Sequence, residues 1–261
     1  MRNLTLVTTF VFLAMSILTA KAQTPEEKGL AIARDIEAAN KGFVGEEAKM
    51  KMILIDAHGS KVERAMIGKV MEVEGDGDRS LSIFESPLDV QGTMMLTWSK
   101  KEADDEQWLF LPSVRRVKRI TSRQQSASFL GSEFSYEDLG SQEVEKYNYK
   151  WLNDEKKNGH DVWVVERVPK KTSGYSKQVM YIRKDIKSPV QVDYYDRRNE
   201  LLKSAIFDEF KAYTVGGKKL NRSHRIHMKN LQTKKESIFQ WEERKLGVTH
   251  NAQDFEQRSL R

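Results

Sequence analysis

Two hydrophobic periods divide the chain. Between 25 and 40 the apolar positions Leu30, Ala33, Ile36 and Ala39 recur at three-residue spacing, which places them on one face of a helix. Thr24 stands where an N-cap belongs, Pro25 occupies the first helical position, and Glu27 follows Thr24 by three residues, the pattern of a capping box. Beyond Gly42 the period changes to two. Met50, Met52 and Leu54 alternate with residues of the opposite face as far as Asp56, residues 57–60 read as a turn, and 61–73 reads as a long amphipathic strand closed by Gly75, Asp76, Gly77 and Asp78. Further strands are predicted at 79–85, 93–98, 107–111 and 114–120. After a helical or irregular stretch, 122–139, they resume at 144–152, 161–169, 178–183, 190–196, 201–212, 220–231 and 236–243.

Short turns such as 157–160, 197–200 and 215–217 join most of these strands, so consecutive strands should be antiparallel neighbours. The expectation is a mainly β protein: a meander of roughly 11 strands with an N-terminal helix and a central helical insertion acting as a lid. So many strands do not stay flat. One helix and one insertion suffice to cover a concave face but not both faces, which favours an unclosed antiparallel barrel. A closed outer-membrane barrel fits poorly, because Lys69, Glu72, Arg183 and Lys229 would face lipid.

The N-terminus changes the picture of where the chain works. Arg2 precedes a nearly unbroken apolar run from Leu4 to Leu18, and Ala20, Lys21 and Ala22 form a small-x-small cleavage site. Residues 1–22 therefore read as a secretory signal peptide and 23–261 as a single exported domain, soluble and periplasmic after cleavage near Ala22. The run is too short for the roughly 20 apolar residues of a spanning helix. There is no Cys, so no disulfide framework is available and stability must come from core burial. The formal net charge of +6 falls by two when Arg2 and Lys21 leave with the signal. Export makes nucleic acid an unsuitable partner, and the cations are better matched to anionic headgroups or an acidic protein face.

Candidate chemistry concentrates between Asp105 and Asp138, where an apolar strand, a cationic strip and an aromatic-glycine segment follow one another. Met residues crowd the first strands, and flexible thioethers suit both shapeless cargo and ordinary core filling. The candidate cavity wall is Met50, Met52, Leu54, Met66, Ile83, Met95, Leu96, Trp98, Trp108 and Phe110, with Phe129 and Phe134 from the insertion. Arg115, Arg116, Lys118 and Arg119 place four cations in five positions of one predicted strand. They read either as a docking strip or as a solvated edge that discourages aggregation. The insertion reads as a moving cover hinged near Gly131 or as static packing over a barrel end. His224 and His227 lie three apart on a strand and so on opposite faces, which disfavours joint metal ligation. Nucleophile-elbow, zincin and phosphate-loop motifs are missing, so neither catalysis, nor a cofactor, nor a metal is expected.

The stretch from Gln107 through Arg119, with Gly131, Ser132, Glu133 and Phe134 and then Tyr136, Glu137 and Asp138, resembles the outer-membrane lipoprotein-sorting, LolA-like, family. It is most similar to the branch found beside large inner-membrane exporters. The resemblance implies a half-barrel that carries acyl chains of a lipid or lipoprotein across an aqueous compartment, with an inner-membrane transporter as one partner and an outer-membrane acceptor as the other. A second reading keeps the export and the β surface but makes the chain a non-enzymatic accessory subunit of an exporter, acting by protein contact only.

Overall fold

The computed structural model describes residues 23–261; the expected signal segment lies outside the described residues. The helix α1, Pro25–Asn40, begins as the sequence requires. The Glu27 N–H donates to Thr24 Oγ1 at 3.2 Å, and the Thr24 N–H donates back to the Glu27 carboxylate at 2.8 Å. Among the described residues no helix is long and apolar enough to cross a membrane.

Fifteen strands follow: β1 Gly45–Ile55, β2 Lys61–Met71, β3 Arg79–Ser86, β4 Met94–Trp98, β5 Glu106–Leu111, β6 Arg116–Ile120, β7 Tyr147–Lys157, β8 His160–Pro169, β9 Tyr175–Arg183, β10 Ser188–Asp196, β11 Leu201–Asp208, β12 Lys211–Val215, β13 Lys218–Arg222, β14 Arg225–Asn230 and β15 Glu236–Leu246. Thirteen form one antiparallel sheet in the order β6-β5-β4-β3-β2-β1-β15-β14-β11-β10-β9-β8-β7. Bulges between Lys49 and Met50, Ala65 and Met66, Trp151 and Asn153, and Tyr194 and Tyr195 add local twist and help the sheet to curl. Its edges are β6 and β7. They do not pair, so the barrel is unclosed, with 13 strands in the sheet where about 11 were expected.

The excess has a local cause. The expected strands 201–212 and 220–231 each break in two. The chain leaves the sheet at Glu209, in the left-handed region with φ 52°, and returns at His224, whose N–H meets the carbonyls of Asp208 and Glu209. The excursion is the separate hairpin β12–β13. It closes the C-terminal end of α1: Lys218 donates to the Ala38 carbonyl at 2.6 Å and to that of Lys41, and Arg222 donates to the Asn40 carbonyl at 3.2 Å. The last turn of the helix has no basic residue of its own, so cations from a distant hairpin satisfy its free carbonyls and face the negative end of its dipole.

The insertion between β6 and β7 is not the expected helical lid. It consists of single 3-10 turns at Ser122–Gln124, Tyr136–Leu139 and Val144–Lys146. Its serines bond the nearby backbone, as when Ser128 Oγ donates to the Ser132 carbonyl at 2.6 Å and Ser132 Oγ to that of Phe129 at 2.7 Å, which competes with a continuous helix. Its aromatic residues reach into the concave side. Phe129, Phe134 and Tyr136 are buried in the main core, with Phe129 5.9 Å from the Phe84 ring and Phe134 4.4 Å from the Phe239 ring. Lys203 and Asp138, about 5% and 6% exposed, pair at 2.8 Å and tie this plug to β11.

The other face of β3–β5 carries a second core. Leu81, Leu96, Trp108 and Phe110 lie under Phe255 and Leu260 of the C-terminal tail, and Trp98 Nε1 donates to the Phe255 carbonyl at 2.6 Å.

α1 packs on β7 so closely that a Cβ on Gly29 would stand 2.7 Å from the Trp151 amide nitrogen. Ala normally improves a helix by about 1 kcal/mol over Gly, but here overpacking should reverse the sign. Gly29→Ala is expected to lower stability by about 1 to 3 kcal/mol in urea denaturation; a stabilised variant would contradict this packing.

Candidate functional site

Along the second half of the meander, the concave side is only partly filled. A cavity of about 1050 Å³ lies between α1 and strands β9, β10, β11 and β14, at the upper end of the roughly 300 to 1,000 Å³ typical of ligand sites. Alternation supplies its wall: Met180 and Ile182 from β9, Val192 and Tyr194 from β10, Ala205 and Phe207 from β11, Ile226 and Met228 from β14. Ala33 and Ile36 of α1 roof it and Phe134 of the plug bounds it.

The mouth is charged. The exposed Glu74 and Gly75 of the β2–β3 turn line it together with Glu72, Asp76 and Asp78, joined by Glu37, Glu143, Lys41 and Arg222. Glu72 is held by the N–H groups of Gly42 at 2.6 Å and Val44 at 2.7 Å. Burial pushes the Asp78 carboxyl up to about 7; the Val73 N–H at 3.2 Å opposes the shift, and Glu143 and Glu72 add to it. Asp76 moves the other way. Burial disfavours its charge, but the Gly77 and Lys101 amides and the Lys100 ammonium at 3.0 Å outweigh burial and hold its carboxyl at about 2.

Glu37, Glu143 and Glu145 bring carboxylate oxygens within 4.8 Å of one another at this rim. Glu37 already pairs with Lys41 at 2.9 Å and Glu143 accepts from Ser141 Oγ at 2.6 Å, so two of the three carboxylates have protein partners. The two histidines on β14 and just before it have separate partners. His224 contacts Tyr213 Oη at 2.6 Å, and His227 contacts Glu236.

A family model whose description reads "uncharacterized protein" matches residues 76–261. The crystal structure of a domain named as an outer membrane lipoprotein-sorting protein, from Vibrio parahaemolyticus, is 43% identical, spans 90% of this chain and 99% of its own, and superposes with a TM-score of 0.87. The chain belongs to the LolA-like family. A DUF1329 family protein from Desulfovibrio piger is 26% identical over 91% of this chain and 100% of its own, with a TM-score of 0.85. A LolA superfamily protein from Nitrosomonas europaea shares the fold, at a TM-score of 0.70 over 89% of this chain and 99% of its own, with 17% identity. No curated protein matches by sequence.

In this LolA-like sheet the residues expected to form the cavity wall fall into three groups. Phe134 lines the cavity. Met50, Met52, Leu54, Met66, Met95 and Phe129 share the concave side but belong to its filled half, packed against the plug. Ile83, Leu96, Trp98, Trp108 and Phe110 lie on the opposite face under the C-terminal tail. Met95 and Leu96 are sequence neighbours on one strand, so strand geometry alone sends them to opposite faces. The walls from β9 to β14 were missed, although their period-two pattern was present; the density of Met drew attention to the first strands instead.

Arg116, Lys118 and Arg119 are exposed on the edge strand β6, and Arg119 reaches Glu106 at 3.3 Å. Arg115 precedes the strand: it follows the 3-10 turn Pro112–Val114 and takes the left-handed conformation with φ 48°. That turn touches the β3–β4 turn, where a Cβ on Gly92 would lie 3.2 Å from Pro112. Leu88 and Val114, 87% and 57% exposed, project from these two turns beside the cations. In the β1–β6 meander this tip and the cavity mouth occupy opposite strand ends.

Asp78 should give the fold a pH signature. The folded state keeps this proton well above the ordinary carboxylate range, so the contribution is most favourable in acid and declines as pH rises from about 4 to about 7. Asp78→Asn is expected to remove that decline. The difference in urea midpoint between variant and parent should shift in the variant's favour from pH 5 to pH 8; a difference independent of pH would show that Asp78 ionises freely.

Proposed function

We propose that this protein is a non-enzymatic periplasmic carrier that holds acyl chains of a lipid or lipoprotein in the cavity and transfers them between membrane partners. The observation that carries the reading is a cavity of about 1050 Å³ inside a LolA-like half-barrel, walled mainly by apolar side chains from four strands, with carboxylates gathered at its mouth. Partition supplies the affinity, since each buried methylene contributes roughly 0.8 kcal/mol. The lipoprotein-sorting name of the Vibrio relative supports the same class of cargo. Withdrawal of Phe129 and Phe134 would join the Met-rich wall of Met50, Met52, Leu54, Met66 and Met95 to the cavity and give room for further chains. Lipid extraction and mass spectrometry of protein purified from its native compartment test the reading. Co-purifying lipid supports it, and lipid-free protein that still binds an exporter supports the accessory-subunit alternative.

Ala205→Phe fills the cavity without adding charge. Excluding even three methylenes costs about 2 kcal/mol, so binding of a fluorescent fatty acid should weaken more than tenfold. Lys156→Ala, on the solvent-facing β7–β8 end, should bind as the parent does. Equal affinity for all three folded proteins would place the cargo elsewhere.

Arg115 and Arg116, with Leu88 and Val114, make a basic tip with two apolar points, and Lys118 and Arg119 continue the cations along the edge strand β6. In this proposal the tip rests on an anionic membrane and leaves the mouth free for a second partner. Changing all four cations to Ser should slow transfer to anionic vesicles tenfold or more and abolish its salt dependence, while affinity in solution holds, because rim charges govern encounter rather than burial. Transfer at the parental rate, with parental salt dependence, would make the strip a solvated edge.

A further inference from the structure

Three cationic residues among the described residues have side chains about nine-tenths buried or more, Lys203, Arg244 and Arg167, and Arg244 has a counterion in Glu46 at 2.9 Å. Lys203 has a counterion in Asp138 at 2.8 Å. Arg167, on β8 and 7% exposed, has none: among the described residues no carboxylate oxygen lies within 4.0 Å of it, and its partners are neutral. Its Nε–H donates to Gln178 Oε1 at 2.6 Å and Nη2 donates to Gln142 Oε1 at 2.9 Å. The guanidinium lies 4.4 Å from the centroid of the Tyr147 ring.

The strand register explains this placement. Arg167 sits across from Tyr149 on β7 and from Gln178 on β9, on the concave face, and it lines the cavity. A guanidinium offers five N–H donors in a rigid fork, and the two glutamine oxygens engage only part of it. Removing an arginine from water without a counterion is costly, and a fully apolar cargo would need no such group. The negative groups nearby are committed elsewhere. Asp138 also lines the cavity, but it is taken by Lys203 and by the Tyr175 hydroxyl at 2.9 Å. The carboxylates at the mouth disfavour an anion at the entrance, whereas Arg167 favours one inside.

We infer that Arg167 is an anion-recognition site within the cavity, and that the cargo is an amphiphile with a carboxylate or phosphate head that pairs with this guanidinium. The inference rests on the carrier reading and narrows it to anionic lipids. Gln178 and Gln142 act as positioning residues: their oxygens orient the fork without neutralising it, leaving its charge for the ligand.

The test compares heads at constant tail, below the critical micelle concentration, by displacement of a fluorescent fatty acid. Dodecanoic acid and dodecyl phosphate should bind the parent at least tenfold tighter than dodecanol and methyl dodecanoate at pH 7.5. The acid and phosphate arms separately show which anion the fork prefers. Arg167→Met should bring acid and phosphate down to the affinity of dodecanol, with folding checked by the thermal midpoint. If that variant does not fold, Arg167→Lys gives the same reading, because a point charge lacks the fork and should weaken both anions at least threefold. Equal binding of all four compounds by the parent, or an undiminished acid preference in a folded Arg167 variant, overturns the anion site and leaves the carrier reading standing. Binding of none of the four overturns the carrier reading, and this inference with it.

Discussion

The pairing of β1 with β15 makes one sheet out of two meanders. It runs from Glu46 opposite Leu246 to Ile55 opposite Glu236, joining the first strand to the last, while β1 pairs along its whole length with β2 on the other side. Without it, β1–β6 and β7–β15 would be two smaller sheets with four edges. With it, the free edges are β6 and β7, two strands consecutive in the chain. The segment joining them must then travel from one edge of the curled sheet to the other, and burying Phe129, Phe134 and Tyr136 in the concave core lets it do so while filling half the barrel. Such a contact between the ends of a chain is slow to find, but once made it decides which half is plugged and which half is open.

The parts of this fold that depend on local pattern could be read directly. The capping box at Thr24 and Glu27 marked the start of α1, and alternation located nearly every strand. The break at Glu209 was not legible, because 201–212 and 220–231 both read as unbroken strands and only the pairing of β11 with β14 shows where the hairpin departs. The insertion resisted reading for a related reason: Ser, Gln and Gly specify turns, and where those turns settle depends on the distant edges they connect.

The candidate site was half legible. Both halves of the concave face have alternating apolar residues, so composition cannot say which half is open. Phe134 was identified as an apolar residue of the insertion, and it is the member of that group that lines the cavity. Trp98, Trp108 and Phe110 were drawn into the wall because a large apolar residue on a strand suggests an interior, yet their cover is a tail whose sparse apolar residues, Phe255 and Leu260, show no periodicity. Arg167 carries no sequence signal at all. It is one Arg among many, made distinctive by the absence of a carboxylate across the strand on either side, where Tyr149 and Gln178 stand.

The arrangement of charge at the two ends of the β1–β6 meander has a mechanical consequence. Glu72, Glu74, Asp76 and Asp78 stand at one end and Arg115 and Arg116 at the other, so these groups form a dipole lying along the strands. Near a negatively charged sheet of headgroups such a body feels a torque before it touches anything. Under the carrier proposal it would arrive already turned, basic tip first, with its opening facing the water on the far side.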